Sequence, residues 1–281
     1  MRVFLRYLKR DFLIALKAFF GVGDTQSWRR FHREVRTKES NLLRMLGKFP
    51  NSVLVTGCQR SGTTILARLI TQSDGMVNYR MRSDDELDAA LILSGTEEHV
   101  PRGRYCFQTT YLNECYREYF DNDYEYKLIW VVRNPFSVVH SMKYNWGRFA
   151  FEELFDACGY PLLDDIEKQK YKLCGQRMIS KTQRACLSYN GKVLQAIELM
   201  KVLGPVNMLI VDYDELVGNK QILLPKIYKF IQLLYKAHYA DKLHEHSLDK
   251  ASRLTSRERN LISQLCIPVY EKIKKSSMLS Y

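Results

Sequence analysis

The stretch SVLVTGCQRSGTTILARLI, residues 52–70, has the order of a strand, a loop and a helix. Val53, Leu54 and Val55 form a short apolar run, as in a parallel strand buried on both faces. Gly57 to Gly62 is a tight turn of small and polar residues. From Thr63 onward, Ile65, Leu66, Leu69 and Ile70 have the spacing of one helix face. Such a unit cradles an anion. The amides of the loop and of the first helical turn lack carbonyl partners and converge, and the helix dipole adds partial positive charge at the same spot.

The spacing of Gly57, Gly62 and Thr64 matches a nucleotide phosphate loop, G-x-x-x-x-G-K-[ST], except that Thr63 stands where the lysine belongs. A triphosphate needs that cation at its β- and γ-phosphates. Here the cation has moved into the loop as Arg60, which suits a less charged ligand whose reacting group lies near Arg60. A kinase or NTPase with a degenerate loop remains one alternative. A non-catalytic binder of polyanions or lipid headgroups is another.

Q-R-S-G-T-T after a hydrophobic strand resembles the 5′-phosphosulfate loop of the sulfotransferases that use 3′-phosphoadenosine-5′-phosphosulfate (PAPS; product PAP). A second motif of that family, an arginine ending a strand and a serine eight positions on, is matched by Arg133, after the run Lys127 to Val132, and by Ser141. Tyr213-Asp214-Glu215-Leu216 is similar to a stretch that follows a core strand in the family. The resemblance covers about residues 50–235 and implies an α/β fold with a central parallel sheet flanked by helices. It also implies transfer of a sulfuryl group to a hydroxyl or amine of a carbohydrate, glycolipid or small-molecule acceptor. Gln59, Arg60, Ser61, Gly62, Thr63 and Thr64 would hold the phosphosulfate, with Arg60 stabilising charge on the leaving oxygen. Arg133 and Ser141 would hold the 3′-phosphate. The family's basic C-terminal loop is matched best by Lys250, Ser252 and Arg253, a stretch that reads equally as a solvated turn. No metal is expected, because Arg60, Arg133 and the loop amides supply the positive field.

The base departs from the cytosolic members of the family. Their Lys-Thr-His after the second strand is Gln108-Thr109-Thr110 here, so that mechanism does not carry over. Other branches place a carboxylate shortly after the phosphate-loop helix, where this chain has Asp84, Asp85 and Glu86. These three are base candidates, Glu86 first for its reach, or else they are a helix cap. His99 is the next candidate. His244-x-His246 is too small a set for a metal site, and Leu209 to Asp212 imitates a magnesium-binding strand only superficially.

A net charge of +12 favours anionic partners, and PAPS accounts for only part of that surplus. No nucleic-acid partner is expected, and the oligomeric state is left open. The seven cysteines include no C-x-x-C pair, which fits buried thiols in a reducing, cytoplasmic setting. In residues 1–20, Arg2, Arg6, Lys9, Arg10 and Lys17 face one way and Phe4, Leu5, Leu8, Phe12, Leu16 and Phe19 the other. This segment suits peripheral contact with an anionic membrane, or docking on the domain. Residues 1–48 read as a basic helical extension, with a second helix from Trp28 to Leu46, and residues 49–281 as the sulfotransferase-like domain.

Further strands are expected at Tyr105–Thr109, Lys127–Val132 and Val206–Val211. Helices are expected at Glu86–Leu93, Leu112–Phe120, Phe136–Tyr144, through most of 149–203, at Ile222–Leu234, and after the capping box Thr255-x-x-Glu258. Residues 74–104 and 149–203 are the expected acceptor lid.

Overall fold

The structure, a computed structural model, describes residues 24–36, 41–81, 84–112, 116–119, 125–175, 178–243 and 252–275. The segment 1–20, Lys250 and the pair His244 and His246 lie outside these residues.

The strands β1 (Ser52–Gly57), β2 (Cys106–Gln108), β3 (Tyr126–Val132) and β4 (Met208–Asp212) form one sheet in the order β2-β1-β3-β4. Every pairing is parallel, with Leu54 beside both Phe107 and Leu128, and Ile129 beside Leu209. The helices are α1 (Asp24–Phe31), α2 (Thr63–Thr71), α3 (Asp85–Ser94), α4 (Pro135–Tyr144), α5 (Arg148–Leu154), α6 (Asp165–Cys174), α7 (Lys181–Asn207), α8 (Tyr213–Gly218), α9 (Lys220–Phe230) and α10 (Ser256–Lys275).

Alternation along the strands builds two cores, one on each face of the sheet. Val53, Val55, Ile129, Val131, Leu209 and Val211 pack with Leu66 and Ile70 of α2 and with Leu224 and Ile227 of α9. Leu54, Leu128, Trp130, Val132 and Ile210 pack with α7, α10 and α3 on the other. Burial on both faces is why the strands read as continuous apolar runs. The chain passes from β1 to β2 on one side of β1 and then crosses to β3 on the other. The carboxyl ends of β1 and β3 therefore flank a topological switch point, where open α/β sheets bind ligands.

The expected strands are present within a residue or two. The helical expectations hold less well. Instead of one helix over Trp28–Leu46, α1 gives way to a single wide turn at His32–Arg36 and a 3₁₀ turn at Leu46–Lys48. Trp28, Phe31, Val35, Leu42, Leu43 and Leu46 are all buried in the larger core. Trp28 packs against Tyr111 and Trp146, its ring centroid 4.6 and 5.6 Å from theirs, and Phe31 against Tyr111 at 4.6 Å; such tertiary packing overrides a regular helix. Where a helix is expected at Leu112–Phe120, the described part is one 3₁₀ turn, Tyr116–Tyr119.

The expected helical excursion after residue 149 divides into α5, two short turns, α6 and α7. Gly159 is closely packed there: a Cβ would meet the Phe155 ring at 2.6 Å and Ser188 N at 2.9 Å. α6 has a capping box from Asp164 and Glu167 but no buried residue, and Ile166 and Leu173 are exposed. The long helix of α7 stops at Gly204, as the end of the expected helical stretch at residue 203 implies: Gly204 is non-helical, with φ +67° and ψ 174°, and a short last turn follows it to Asn207. No helix among the described residues is long and apolar enough to cross a membrane.

Candidate active site

The loop between β1 and α2 sits at the switch point. Its shape depends on contacts that exclude side-chain carbon. A Cβ on Gly57 (φ +147°) would fall 2.2 Å from Val131 O, so this glycine lets β1 turn directly against β3. Gly62, at φ +102°, is the N-cap of α2, and a Cβ there would strike the Tyr213 ring at 2.4 Å. Ser61 is wholly buried. Its Oγ lies 2.5 Å from Cys58 O and 3.1 Å from Val131 O, so this hydroxyl shapes the loop from within. Gln59 also turns inward, its Nε2 donating to Thr110 O at 2.7 Å. These two side chains hold the cradle. The first-turn amides of α2, the Thr63 and Thr64 hydroxyls and Arg60 remain as the groups able to meet an anion.

Arg60 has φ +73°. Its Nε donates to Ser141 Oγ on α4 at 3.0 Å. The two sequence motifs, 81 residues apart, thus meet in space. Arg133, just past β3, is 3 % exposed. Its Nε pairs with Asp214 Oδ1 at 2.9 Å, its guanidinium lies 5.0 Å from the Tyr213 ring centroid, and its carbonyl accepts from Tyr189 Oη. The Asp214 carboxylate also accepts from Asn134 N at 3.2 Å. Tyr213 and Asp214 therefore tie both motifs to the end of β4. Behind the loop, the buried Lys192 places its ammonium 5.0 Å from the Trp130 ring centroid. Burial pushes the neighbouring Cys58 thiol up, against the pull of Lys192, and keeps it neutral.

The three acidic candidates have different surroundings. Asp84 is the N-cap of α3: its Oδ1 accepts from the amides of Glu86 and Leu87, and its other oxygen accepts from Tyr111 Oη. Asp85 is 5 % exposed and pairs with Arg68, at 2.6 Å, and with Arg80. Glu86 is beside the loop. Gln108 Nε2, at the end of β2, lies 2.5 Å from Glu86 Oε1, 2.8 Å from Thr64 Oγ1 and 3.3 Å from Thr63 Oγ1. His99 packs against Phe49 and Tyr105, which precede β1 and β2, and so lies at the opposite end of the sheet from the loop.

Ser252 and Arg253 precede α10. Arg259 donates to Ser252 O at 2.9 Å, and the Thr255–Glu258 capping box is formed. Glu258 also accepts from Lys143 and from Tyr144 at the end of α4, the helix that carries Ser141. Burial raises the Glu258 pKa, but the Lys143 ammonium, the Thr255 amide and hydroxyl and the Tyr144 hydroxyl outweigh it and hold the carboxyl down at about 2. Sequence reasoning missed Asp214, Lys192, Gln108 and the Lys143–Glu258 tie. Only the capping box and the Y-D-E-L stretch signalled any of them. Among the described residues no three His, Cys, Asp or Glu side chains cluster as a metal site would require.

Solved structures to which this chain is similar include three sulfotransferases. The sulfotransferase domain from the curacin biosynthetic pathway aligns over 83 % of this chain and 99 % of its own, at 13 % identity and a TM-score of 0.48. A sulfotransferase from Alicyclobacillus acidocaldarius aligns over 80 % and 94 %, at 13 % identity and a TM-score of 0.48. The mouse sulfotransferase SULT7A1, solved with PAP, aligns over 84 % and 93 %, at 17 % identity and a TM-score of 0.46. No protein-family model and no curated protein matches the sequence. Functional meaning therefore rests on the residues of the loop and its neighbours.

Proposed function

We propose that the protein is a PAPS-dependent sulfotransferase acting on a hydroxyl or amine. The observation that carries this reading is the hydrogen bond from Arg60 to Ser141, which joins the phosphosulfate-loop motif to the Arg133–Ser141 motif. A triphosphate loop has its lysine at the helix start, and this one has Thr63 there, 3 % exposed. The cradle suits a phosphosulfate. The first-turn amides of α2 and the Thr63 and Thr64 hydroxyls lie together at the helix start, and Arg60 is on the adjoining loop. PAPS supplies an activated sulfuryl group and an adenosine 3′-phosphate. Thr63, Thr64 and the α2 amides would hold its 5′ end, Arg60 would stabilise charge on the oxygen that leaves sulfur, and Arg133 with Ser141 would hold the 3′-phosphate. Ser252 and Arg253 lie on the segment that Glu258 fastens to the Ser141 helix, and would close over that phosphate.

Of the three acidic residues, Asp84 is engaged as a cap and Asp85 in ion pairs. Glu86 is the base candidate, beside the Thr63 and Thr64 hydroxyls and able to take the acceptor's proton. A carbohydrate, glycolipid or small hydroxylated molecule is the acceptor class proposed. Residues 1–20 would provide peripheral contact with an anionic membrane from the cytoplasmic side.

The test is transfer of label from [³⁵S]PAPS to a panel of sugars, glycolipids and phenols with metals chelated, run beside γ-labelled ATP with magnesium. Label transfer from PAPS alone supports the reading. Phosphoryl transfer from ATP without sulfuryl transfer overturns it.

A further inference from the structure

Gln108 is wholly buried at the carboxyl end of β2, yet its side-chain nitrogen faces three acceptors. A primary amide has two N–H groups. One is directed to Glu86 Oε1 at 2.5 Å; the other is shared by Thr64 Oγ1 at 2.8 Å and Thr63 Oγ1 at 3.3 Å. An ionised Glu86 only accepts, so the amide must present nitrogen rather than oxygen to it. Each threonine hydroxyl that accepts from Gln108 keeps its own proton for donation to an anion in the loop.

The backbone around Glu86 is fixed independently. Tyr79 Oη accepts from Gln108 N at 3.2 Å and donates to Asp85 O at 3.0 Å, which pins the first turn of α3 to the end of β2. Asp84 caps that turn, and Asp85 is clamped by Arg68 and Arg80. These ties act on the backbone, and Gln108 adds a direct contact to the Glu86 side chain.

We propose that Gln108 is a positioning residue that holds the Glu86 carboxylate against the phosphate loop. This rests on the reading of Glu86 as the base. Gln108 occupies the place of the missing lysine, and although it is no base itself, it aims one. A misplacement of about 1 Å at a reacting group costs on the order of 100-fold in rate.

The experiment is a cycle of wild type, Glu86→Gln, Gln108→Met and the double variant. Its probe needs no identified acceptor: release of inorganic [³⁵S]sulfate from PAPS with water as acceptor. There the water oxygen bonds to sulfur as the bond from sulfur to the phosphate oxygen breaks, and the water proton passes to Glu86. Gln108→Met is expected to lower sulfate release at saturating PAPS at least about tenfold, with the PAPS KM changed less than about threefold. In the Glu86→Gln background the same substitution should change the rate less than about twofold. The thermal midpoints of the ligand-free proteins give a readout independent of activity, because the two single losses should not add. Equal effects of Gln108→Met in both backgrounds, with additive midpoints, overturn the positioning role while leaving Glu86 as the base. Normal sulfate release by Glu86→Gln removes the base and this proposal with it.

Discussion

Replacing Gly62 with alanine tests whether the loop owes its shape to the end of β4. The residue has φ +102° and ψ 9°, and the new Cβ would lie 2.4 Å from Tyr213 Cδ2 and 2.5 Å from Cε2. The backbone strain costs about 1–3 kcal/mol, and forcing carbon against a buried ring about 1–3 kcal/mol more. Together these reach about 2–6 kcal/mol, a large share of the roughly 5–15 kcal/mol that stabilises a folded protein. Gly62→Ala should therefore lower the thermal midpoint by on the order of 10 °C. It should also displace Thr63 and Thr64, so that stabilisation by PAP, about 2.7 kcal/mol at 100 times Kd, shrinks measurably. In a Tyr213→Ala background the ring is gone and only the backbone strain remains, so the same substitution should cost about half as much. Denaturant unfolding and calorimetric PAP titration of the four proteins read all of this. A Gly62→Ala protein as stable as wild type, or one equally destabilised with and without Tyr213, refutes the reasoning.

Other outcomes are expected. Glu86→Gln should lower turnover at least about 100-fold with little change in PAP affinity, whereas Asp84→Asn, which alters an N-cap, should act mainly on the thermal midpoint. Because the folded Glu258 carboxyl is held near 2, below its ordinary 4.5, the stability it contributes is fully present above about pH 4.5. That contribution disappears as pH falls toward 2, so the gap in midpoint between wild type and Glu258→Gln should narrow over that range in an acid titration. Deleting residues 1–20 should abolish binding to anionic vesicles at low salt and leave PAP binding intact; vesicle binding that survives the deletion counts against a membrane role for the segment.

The sequence made the sheet and its loop legible because both depend on local pattern. Runs such as Val53–Val55 and Leu128–Val132 are apolar on both faces, and Gly57 and Gly62 sit where a side chain would collide. That the phosphate loop and the Arg133–Ser141 motif serve one ligand was implied by the family resemblance, whereas the contact between Arg60 and Ser141 has no signal in the sequence. The irregular stretches were not legible. Trp28, Phe31 and Val35 have helical spacing, but the packing of Trp28 and Phe31 on Tyr111, and of Trp28 on Trp146, is set by chain far away in sequence. The same applies to the acidic trio. Three adjacent carboxylates are equivalent in sequence, and they differ only because Tyr111, Arg68 with Arg80, and Gln108 approach them from separate elements. A glutamine amide is no base, and the geometry that gives Gln108 its place depends on how β2 ends beside α2.

Calorimetric titration of PAP against adenosine 5′-phosphosulfate, with wild type and Arg133→Ala, tests most directly whether the two motifs form one PAPS site. Arg133 is almost wholly buried between Asp214 and Tyr213, so an alanine there removes a positioned guanidinium rather than a mobile surface charge. The account predicts that wild type binds PAP much more tightly than the ligand lacking the 3′-phosphate. Arg133→Ala should lose about 2–5 kcal/mol of PAP affinity and little of the affinity for adenosine 5′-phosphosulfate. Equal affinity of wild type for the two ligands, or equal losses for both in Arg133→Ala, would contradict it.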